Sequence, residues 1–291
     1  MMKYLVNLYT LFLRLVSMPA FLAEYFQSGT GKEYGVGAWK KIVLLWRMIR
    51  NKKKIQTASD FLEHITMATR ILNIPKSLEG CVVECGCFKG GSTANLSLVC
   101  QLCNRSLEVF DSFAGLPEPA ADDRVHAAMD RNKVDVYTEG AYCGTLEEVK
   151  NNISRFGAIG VCQFHVGYFE KTLPSFRKSC AFIFLDVDLR ASLETCLNFL
   201  WPVLQDGGYL FTHEAQQMEI ASLFFDREWW QQNLRADPPG LVGAGCGLGL
   251  LPRSGAYKSC IGYTKKIFRP ASAAGFHSFA RSKISSAEIQ I

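Results

Sequence analysis

The chain has no uninterrupted apolar run long enough to cross a bilayer, because Lys3 and Arg14 interrupt its apolar opening segment and Glu24 ends it. That segment also lacks the clean apolar centre and the small-residue cleavage site of a secretion signal. The glycine fingerprint G-x-G-x-x-G is missing, and the chain contains no internal repeat. These absences argue against a transmembrane anchor, a secreted protein, a repeat array and a typical nucleotide-dependent oxidoreductase.

Cysteine is abundant, but it forms no recognisable disulfide or metal framework. The chain has 11 cysteines, an odd number, and most of them lie within apolar strand or helix patterns. Cys100 and Cys103 form a single C-x-x-C pair, and no second pair follows at zinc-site spacing. Reduced, buried cysteines are typical of a reducing compartment, so we expect a cytoplasmic protein.

Positive charge is concentrated at one end of the chain. The net charge is +5, yet residues 1–56 contain ten Lys and Arg against two Glu, which leaves a negative balance for the remainder. The basic residues do not interleave with aromatics in a nucleic-acid-binding module, so we expect no nucleic-acid partner. A basic arm favours an anionic partner, such as an acidic glycan or the inner membrane surface. Two interpretations stay open: a helix lying in the membrane plane, or a helix packed on the body or on a second subunit of a homo-oligomer.

The rest of the chain alternates between apolar strands and helical patterns, which predicts a Rossmann-like α/β sheet. The sheet is expected to be mostly parallel and to close with antiparallel edge strands. We predict a helical N-terminal extension over residues 1–58, the main domain over 59–268 and a loose tail over 269–291. The finer predictions are helices over 38–48, 146–156, 193–200 and 220–233, a lid or long loop over 112–142, a turn over 205–208, and edge strands over 241–251 and 257–266.

Residues 81–92 are the stretch around which the sheet is predicted to be organised. An apolar strand carries Glu84 near its end, Gly86 follows at the turn, and Gly90 and Ser92 open a helix. The pattern E-x-G-x-x-x-G-x-S removes side chains where a ligand can lie against the backbone. Its carboxylate suits a cationic group, such as the amino group of S-adenosylmethionine, better than a pyrophosphate. An ordinary strand-to-helix turn is the alternative.

Two more candidates follow the next strands. Asp111 ends the second apolar strand, about 25 residues after Gly86, at the spacing expected of an acid that holds both ribose hydroxyls of a cofactor. Capping of a turn is the competing interpretation. Tyr168 leaves the third strand, where its ring could stack on a nucleobase or fill the core.

Polar side chains also follow the fourth and fifth strands. Asp186 and Asp188 end the fourth, and His213 and Glu214 end the fifth. Because the carboxyl ends of parallel strands meet at one edge of the sheet, these carboxylates and the imidazole could bind a divalent cation. Helix capping together with a surface ion pair would explain the same residues without a metal.

With these motifs in place, the chain resembles the macrocin O-methyltransferase (TylF/MycF-like) family of class I S-adenosylmethionine-dependent methyltransferases. The resemblance covers about residues 80–265 and rests on residues 83–92, 110–119, 185–189, 207–209 and 243–249. It implies a Rossmann-like class I methyltransferase fold, S-adenosylmethionine as cofactor, and magnesium-dependent methylation of sugar hydroxyls in secondary metabolites.

The resemblance assigns the cofactor site by position. The family's first motif, around the methionine part of the cofactor, falls on residues 84–92, and its ribose position falls on Asp111 and Ser112. With the aromatic and the strand-four acid, the predicted cofactor-binding set is Glu84, Gly86, Gly90, Ser92, Asp111, Ser112, Tyr168 and Asp186.

The metal site is where the sequence departs from the family. Asp186 matches the strand-four aspartate that binds metal and is the proposed base, but the family's paired aspartates after strand five fall on His213 and Glu214. The usual Tyr-Glu after the strand-four acids is Arg190-Ala191 here. An imidazole ligand favours a softer ion than magnesium, such as manganese, iron or zinc. Asp186 and His213 are the predicted catalytic residues, and Asp186, His213 and Glu214 the predicted metal ligands.

The sequence therefore predicts an S-adenosylmethionine-dependent O-methyltransferase (EC 2.1.1.-) acting on a hydroxyl of a sugar or glycosylated metabolite. The reaction would be an in-line displacement at the sulfonium methyl, in which positioning dominates. Two alternatives stay open. One is an adenosylmethionine-binding protein that has lost methyl transfer, motivated by the altered strand-five acids. The other is a nucleotide-dependent oxidoreductase on a related fold.

Overall fold

A computed structural model describes residues 22–127, 134–243 and 261–267, with six single positions before residue 22. The main sheet has six strands in the order β5-β2-β1-β6-β7-β8, and only β8 is antiparallel to its neighbour. The fold class predicted from the sequence is thereby confirmed. The strands are β1 (Cys81–Cys85), β2 (Leu107–Asp111), β3 (Val125–Ala127), β4 (Val134–Val136), β5 (Cys162–Val166), β6 (Cys180–Leu185), β7 (Leu204–Thr212) and β8 (Gly262–Lys265).

Helices cover both faces of this sheet. Side chains alternate along a strand, so Val82 packs in a core with α1 to α4, while Val83 packs in a second core with α6 and α8. The helices are α1 (Ala38–Lys54), α2 (Phe61–Leu72), α3 (Gly91–Cys103), α4 (Leu146–Phe156), α5 (Phe169–Thr172), α6 (Arg190–Leu200), α7 (Met218–Ala221) and α8 (Arg227–Leu234).

The strand order reverses between β1 and β6, and this places the site. The chain moves outward from β1 through β2 to β5, then returns to the other side of β1 and moves outward again from β6 to β7. The loops that follow β1 and β6 therefore diverge and leave a crevice between them. Every strand end that the sequence singled out opens onto this crevice or next to it.

Local signals in the sequence explain where two of the surrounding helices begin. Asp60 accepts a hydrogen bond from the backbone of Leu62, and Glu63 accepts one from the backbone of Asp60, a capping box that starts α2. At the start of α3, Gly90 adopts a left-handed conformation with φ of 81°. Glycine takes this conformation without a steric penalty, so the chain can turn sharply out of the β1 loop.

Several predicted boundaries were wrong. Helix α1 runs to Lys54 rather than 48, and β7 begins at Leu204, so residues 205–208 are not a separate turn. The backbone there stays paired because Gly207 N–H donates to the carbonyl of Lys266 next to β8. The single helix predicted over 220–233 is broken into α7, a 3-10 turn and α8, which Asp226 caps.

The lid segment, residues 112–142, contains regular structure that the sequence did not predict. It holds a 3-10 turn and the two-stranded antiparallel pair β3–β4, with residues 128–133 outside the described part. Of the predicted edge strands, Val242 forms a bridge with Tyr263 and β8 is present, while 244–260 lie outside the described residues. The predicted tail, 269–291, also lies outside them.

Within the described residues, every helix is too short or too polar to reach across a bilayer.

Asp123 anchors the lid segment to the body of the protein. Helix α6 has no side-chain cap of its own, and Asp123 accepts hydrogen bonds from the backbone N–H groups of Arg190 (2.8 Å) and Ala191 (3.0 Å). The same carboxylate accepts a 2.6 Å hydrogen bond from Nε2 of the fully buried His126. Burial disfavours a charged imidazole, but these bonds and the negative charge of Asp123 raise the pKa of His126.

We predict that Asp123→Ala destabilises the protein by about 2 kcal/mol, since it removes a helix cap and leaves a buried imidazolium without its carboxylate. Chemical denaturation measures the loss, and limited proteolysis should show earlier cleavage within 112–142. Asp122→Ala is the matched control, because its side chain is exposed on the same turn. Equal stability of the two variants would contradict the anchoring role.

Candidate active site

A cavity of about 300 Å³ lies at the carboxyl ends of β1, β2, β6 and β7. Of the residues predicted to bind cofactor, those that line it are Gly86, Ser92, Asp111, Ser112, Tyr168 and Asp186. His213 and Glu214 line it as well, so the structure brings the predicted cofactor and metal residues into one space. Glu84 and Gly90 are not among the lining residues.

Gly86 is the point where the loops after β1 and β6 come closest. It has φ of 83°, and a Cβ built there would overlap the carbonyl oxygen of Asp186. Any side chain at this position would push the two loops apart and adopt a strained backbone conformation. The glycine predicted from the motif is thus required by the shape of the crevice.

Asp111 lies at the end of β2, where the sequence predicted it, but its carboxylate is already partly engaged. Oδ2 accepts a 2.7 Å hydrogen bond from Cys87 N–H, and Oδ1 accepts one of 2.7 Å from Phe113 N–H. Burial raises the pKa of Asp111, although these backbone donors oppose the shift. The carboxylate therefore fixes both neighbouring loops and keeps a second lone pair on each oxygen for a ligand.

Ser112 and Tyr168 flank this end of the cavity. The Ser112 hydroxyl donates to the carbonyl of Gly115 at 2.7 Å and accepts from Ala114 N–H at 3.1 Å. These two hydrogen bonds of Ser112 hold the start of the lid segment in place. Tyr168 is half-buried and lines the cavity immediately before α5, and its contact with a nucleobase stays a prediction.

Glu84 and Gly90 support the cavity from outside it. Glu84 is fully buried in β1, and its carboxylate lies near the hydroxyls of Ser92 and Thr93, which oppose the effect of burial on its pKa. Burial raises the pKa of Glu84 to about 8. Gly90 faces α4, where an added Cβ would lie 3.2 Å from the Val149 side chain. Neither residue lines the cavity, and a direct contact of either with the cofactor stays a prediction.

The strand-end acids and His213 form a compact cluster. His213 Nδ1 lies 3.2 Å from Asp186 Oδ1 and 3.3 Å from Glu214 Oε1. On its other side Nε2 lies 3.5 Å from Oε2 of Glu63, which also belongs to the capping box of α2. Burial opposes charging of the ring, but the carboxylates outweigh it and raise the pKa of His213 well above its usual value. Burial likewise opposes ionisation of Asp186, yet His213 lowers the pKa of this carboxyl.

Asp188 adds a further carboxylate at the end of β6. It lines the cavity and has a left-handed backbone with φ of 59°, a conformation that costs a non-glycine residue free energy. Burial, reinforced by the nearby charge of Asp186, raises the pKa of Asp188 to about 7. Residues held in such conformations concentrate at functional sites. Asp188 lines the same cavity as Asp186.

The far wall of the cavity was not predicted from the sequence. It comes from the lid segment and from the turn after β7, and its residues are Asp135, Tyr137, Tyr142, Gln216 and Gln217. Gln217 ties the two together, since its Oε1 accepts from His126 Nδ1 at 2.8 Å and its Nε2 donates to the Tyr137 hydroxyl. These contacts join residues about 80 to 90 positions apart. The one available signal was the position of Gln216 and Gln217 directly after a strand-end acid.

The doubly wound sheet, with a glycine turn and an acid at its switch point, is the arrangement expected of a class I methyltransferase. A sequence model described as macrocin-O-methyltransferase (TylF) matches residues 37–237, which is more than half of the chain. The chain belongs to this family, and it is an S-adenosylmethionine-dependent O-methyltransferase. The matched region includes α1.

Solved structures agree with this fold. The O-methyltransferase NovP superimposes with a TM-score of 0.56 and 18% identity, covering 76% of this chain and 88% of NovP. The calicheamicin methyltransferase CalS11 superimposes with a TM-score of 0.50 and 14% identity, covering 78% of this chain and 92% of CalS11. No curated protein matches the chain in sequence.

We predict that Asp111→Ala weakens S-adenosylmethionine binding by about 2–4 kcal/mol, through loss of charge-assisted ribose hydrogen bonds and of the loop contacts to Cys87 and Phe113. Isothermal titration measures the affinity, and a thermal unfolding curve of each protein checks that the fold persists. Asp111→Asn is the matched control, because it keeps an acceptor oxygen and should lose less. Wild-type affinity in Asp111→Ala would remove this residue from the cofactor site.

Proposed function

We propose that the protein transfers the methyl group of S-adenosylmethionine to a hydroxyl of a sugar or glycosylated metabolite. The observation that carries this proposal is the single cavity that joins a cofactor end, at Gly86 and Asp111, to the cluster around Asp186 and His213. A donor bound at one end would direct its methyl group towards an acceptor bound at the other. In-line displacement then needs little beyond this alignment.

In this proposal the cofactor residues have distinct roles. Asp111 accepts hydrogen bonds from the ribose hydroxyls, and Ser112 supports that contact. Tyr168 stacks on the nucleobase. Gly86 and Ser92 leave room for the methionine part against the backbone. Glu84 acts through the loop beneath it, because its buried carboxylate does not line the cavity.

Asp186 is the proposed base. The carboxylates around His213 raise the pKa of its ring and favour an imidazolium, which cannot accept another proton. His213 in turn lowers the pKa of the Asp186 carboxyl and favours its ionised form. The proton of the acceptor hydroxyl would pass to the Asp186 carboxylate as oxygen attacks the methyl carbon, and neutral sulfide would leave. His213 would hold the carboxylate in position through the 3.2 Å contact.

A divalent metal, which the family implies, fits the same residues. Ligand atoms of Asp186, His213 and Glu214 lie within 4.8 Å of one another. The buried carboxyl of Glu214 lies 3.3 Å from His213 Nδ1 and next to the carboxyl of Asp186. These three residues would hold the ion, and His213 would then be neutral. When bound, a metal would lower the pKa of the acceptor hydroxyl.

The lining of the cavity supports an acceptor without negative charge. Apart from His213, all ionisable acidic and basic side chains that line it within the described ranges are carboxylic acids, namely Asp111, Asp135, Glu170, Asp186, Asp188 and Glu214. Burial raises the pKa of Asp111, Asp188 and Glu214, while that of Asp186 is lowered by His213. An anionic acceptor would be repelled, whereas a neutral polyol or an amino sugar would not. Tyr137 and Tyr142, with ring centroids 6.5 Å apart, offer the apolar surface on which a sugar ring can pack.

Gln216 is the proposed acceptor contact on the far wall. It is 5% exposed and lines the cavity, and its buried Oε1 has no hydrogen-bond partner in the described part of the chain. An unpaired buried amide costs free energy unless a ligand satisfies it. A sugar hydroxyl beside the methylated one has the required donor.

The alternatives from the sequence are not favoured. Membership of an O-methyltransferase family argues against a nucleotide-dependent oxidoreductase and against a protein that only binds adenosylmethionine. We also propose a cytoplasmic enzyme with peripheral contact at the inner membrane surface through its N-terminal arm. Association into a homo-oligomer stays a prediction.

The metal proposal predicts a preference that one substitution reverses. Chelator-stripped protein should bind manganese or zinc more tightly than magnesium, and His213→Asp should restore preference for magnesium because it supplies a hard oxygen ligand. Titration calorimetry with each ion measures this without the reaction. His165→Gln, which changes a histidine on β5 that contacts Glu108, is the control. Full methyl transfer in the presence of chelator would exclude the metal and leave Asp186 as a metal-free base.

The acceptor contact predicts that Gln216→Leu raises the KM for the acceptor about tenfold, since one hydrogen bond to a buried amide is lost. S-adenosylmethionine affinity should stay within twofold or so of wild type, because the change lies on the opposite wall. Gln232→Leu, on the exposed side of α8, is the matched control. An unchanged KM would show that Gln216 lines the cavity without contacting the acceptor.

A further inference from the structure

The outer face of α1 carries an exposed stripe of large apolar side chains. Trp39 is 74% exposed, Ile42 47%, Val43 39% and Trp46 59%. Their spacing of three and four residues places them on one side of the helix. Lone exposed apolar residues are common, but two tryptophans and two branched residues in one stripe mark a contact surface.

The inner face of α1 is already used. Leu44 and Met48 are buried in the core, and Asn51 donates hydrogen bonds to Asn95 Oδ1 (2.8 Å) and to the carbonyl of Phe156 (3.1 Å). The helix is therefore fixed on the body by one side while its tryptophan side faces outward. Exposure of the stripe is not a sign that the helix is loose.

Positive charge surrounds the stripe. Helix α1 contains seven Lys and Arg and no acidic residue. Lys41 and Lys52 are engaged internally, by the carbonyl of Gln27 and by Asp60. The guanidinium of Arg50 lies 5.6 Å from the ring centre of Trp46, so cation and aromatic share one surface.

We propose that this face of α1 docks on a membrane surface that contains anionic lipid. Tryptophan favours the boundary between headgroups and acyl chains, because its ring is apolar and its indole N–H needs a polar partner. Lys and Arg around it neutralise lipid phosphates, at about 1 kcal/mol for each residue near the surface. The inference deepens the peripheral contact proposed above and does not depend on methyl transfer.

Charge also argues against a second copy of this chain as the occupant. A two-fold interface brings the same patch of both subunits together. Two copies of α1 would then place two helices with only basic charge against each other, and like charges across an interface are unfavourable. An anionic lipid surface supplies the opposite charge.

The first part of the arm repeats the pattern. The described positions Leu5, Leu8, Tyr9, Phe12 and Val16 are helical, and each is 55–65% exposed. Their spacing again follows one side of a helix. Two apolar faces on the same basic arm would give the contact more area than α1 alone.

The experiment uses the full-length protein and vesicles of phosphatidylcholine, with or without phosphatidylglycerol, in a sedimentation assay. We expect binding only to the anionic vesicles, weakened by added salt because the charges act through a screened field. Trp39→Ser with Trp46→Ser should reduce the binding about tenfold or more, and Lys53→Glu with Lys54→Glu should do the same. Phe225→Ser is the control, because it removes an aromatic side chain that is about as exposed as Trp46 (57% against 59%) but lies far from α1 in the sequence.

The outcomes separate the candidates. Failure to bind anionic vesicles at low salt overturns the proposal, as does equal binding by the tryptophan variant and the control. If instead wild type is a dimer in sedimentation velocity and the tryptophan variant is a monomer, the stripe is an interface between copies. Methyl transfer in solution is assayed separately on all variants. If wild type transfers no methyl group, the proposed function is contradicted, but the proposal for the docking face is not affected.

Discussion

The site depends on the close backbone approach at Gly86. Three hydrogen bonds continue the sheet past its strand ends: Gly86 N–H donates to Phe110, Asp186 N–H to Cys85 and His213 N–H to Leu185, each at 2.9 Å. Because a side chain at position 86 would overlap the carbonyl of Asp186, this arrangement exists only with glycine there. The backbone geometry thereby fixes the register of Gly86, Asp186 and His213, and the 3.2 Å contact between the side chains of Asp186 and His213 adds to it.

The second constraint is charge in a buried space. Glu63, Asp186 and Glu214 surround His213. Burial raises the pKa of Glu214 well above its usual value, whereas His213 lowers that of Asp186, and a buried ionised carboxylate needs a compensating cation. The carboxylates raise the pKa of His213, which favours a protonated imidazole as this cation, and a bound divalent ion would replace it after the ring gives up its proton. The substitution of histidine for the family's aspartate therefore lets the cluster carry its own cation. In the proposed mechanism this is why Asp186 stays ionised beside two other acids.

The sequence predicted the residues whose positions follow from strand topology, and missed those that depend on long-range packing. Gly86, Asp111 and the Asp186–His213–Glu214 group follow from apolar strands that end in polar residues, since parallel strands bring their ends to one edge. Glu84 is buried and does not line the cavity, so the cofactor contact that its motif indicates stays a prediction. The far wall could not be predicted, because Gln217 is positioned by His126 and Tyr137 on a hairpin whose pattern resembles an ordinary polar loop.

The N-terminal arm is connected to the site by a chain of buried polar groups. Asn51 of α1 donates to Asn95, Asn95 donates to His64 Nδ1 at 2.7 Å, and His64 Nε2 donates to Ser59 at 2.7 Å. Burial lowers the pKa of His64 to about 4, so its neutral ring can accept at one nitrogen and donate at the other. Ser59 is hydrogen-bonded to Thr57, which lines the cavity. This chain of hydrogen bonds links α1, which carries the proposed docking face, to Thr57 in the lining of the cavity.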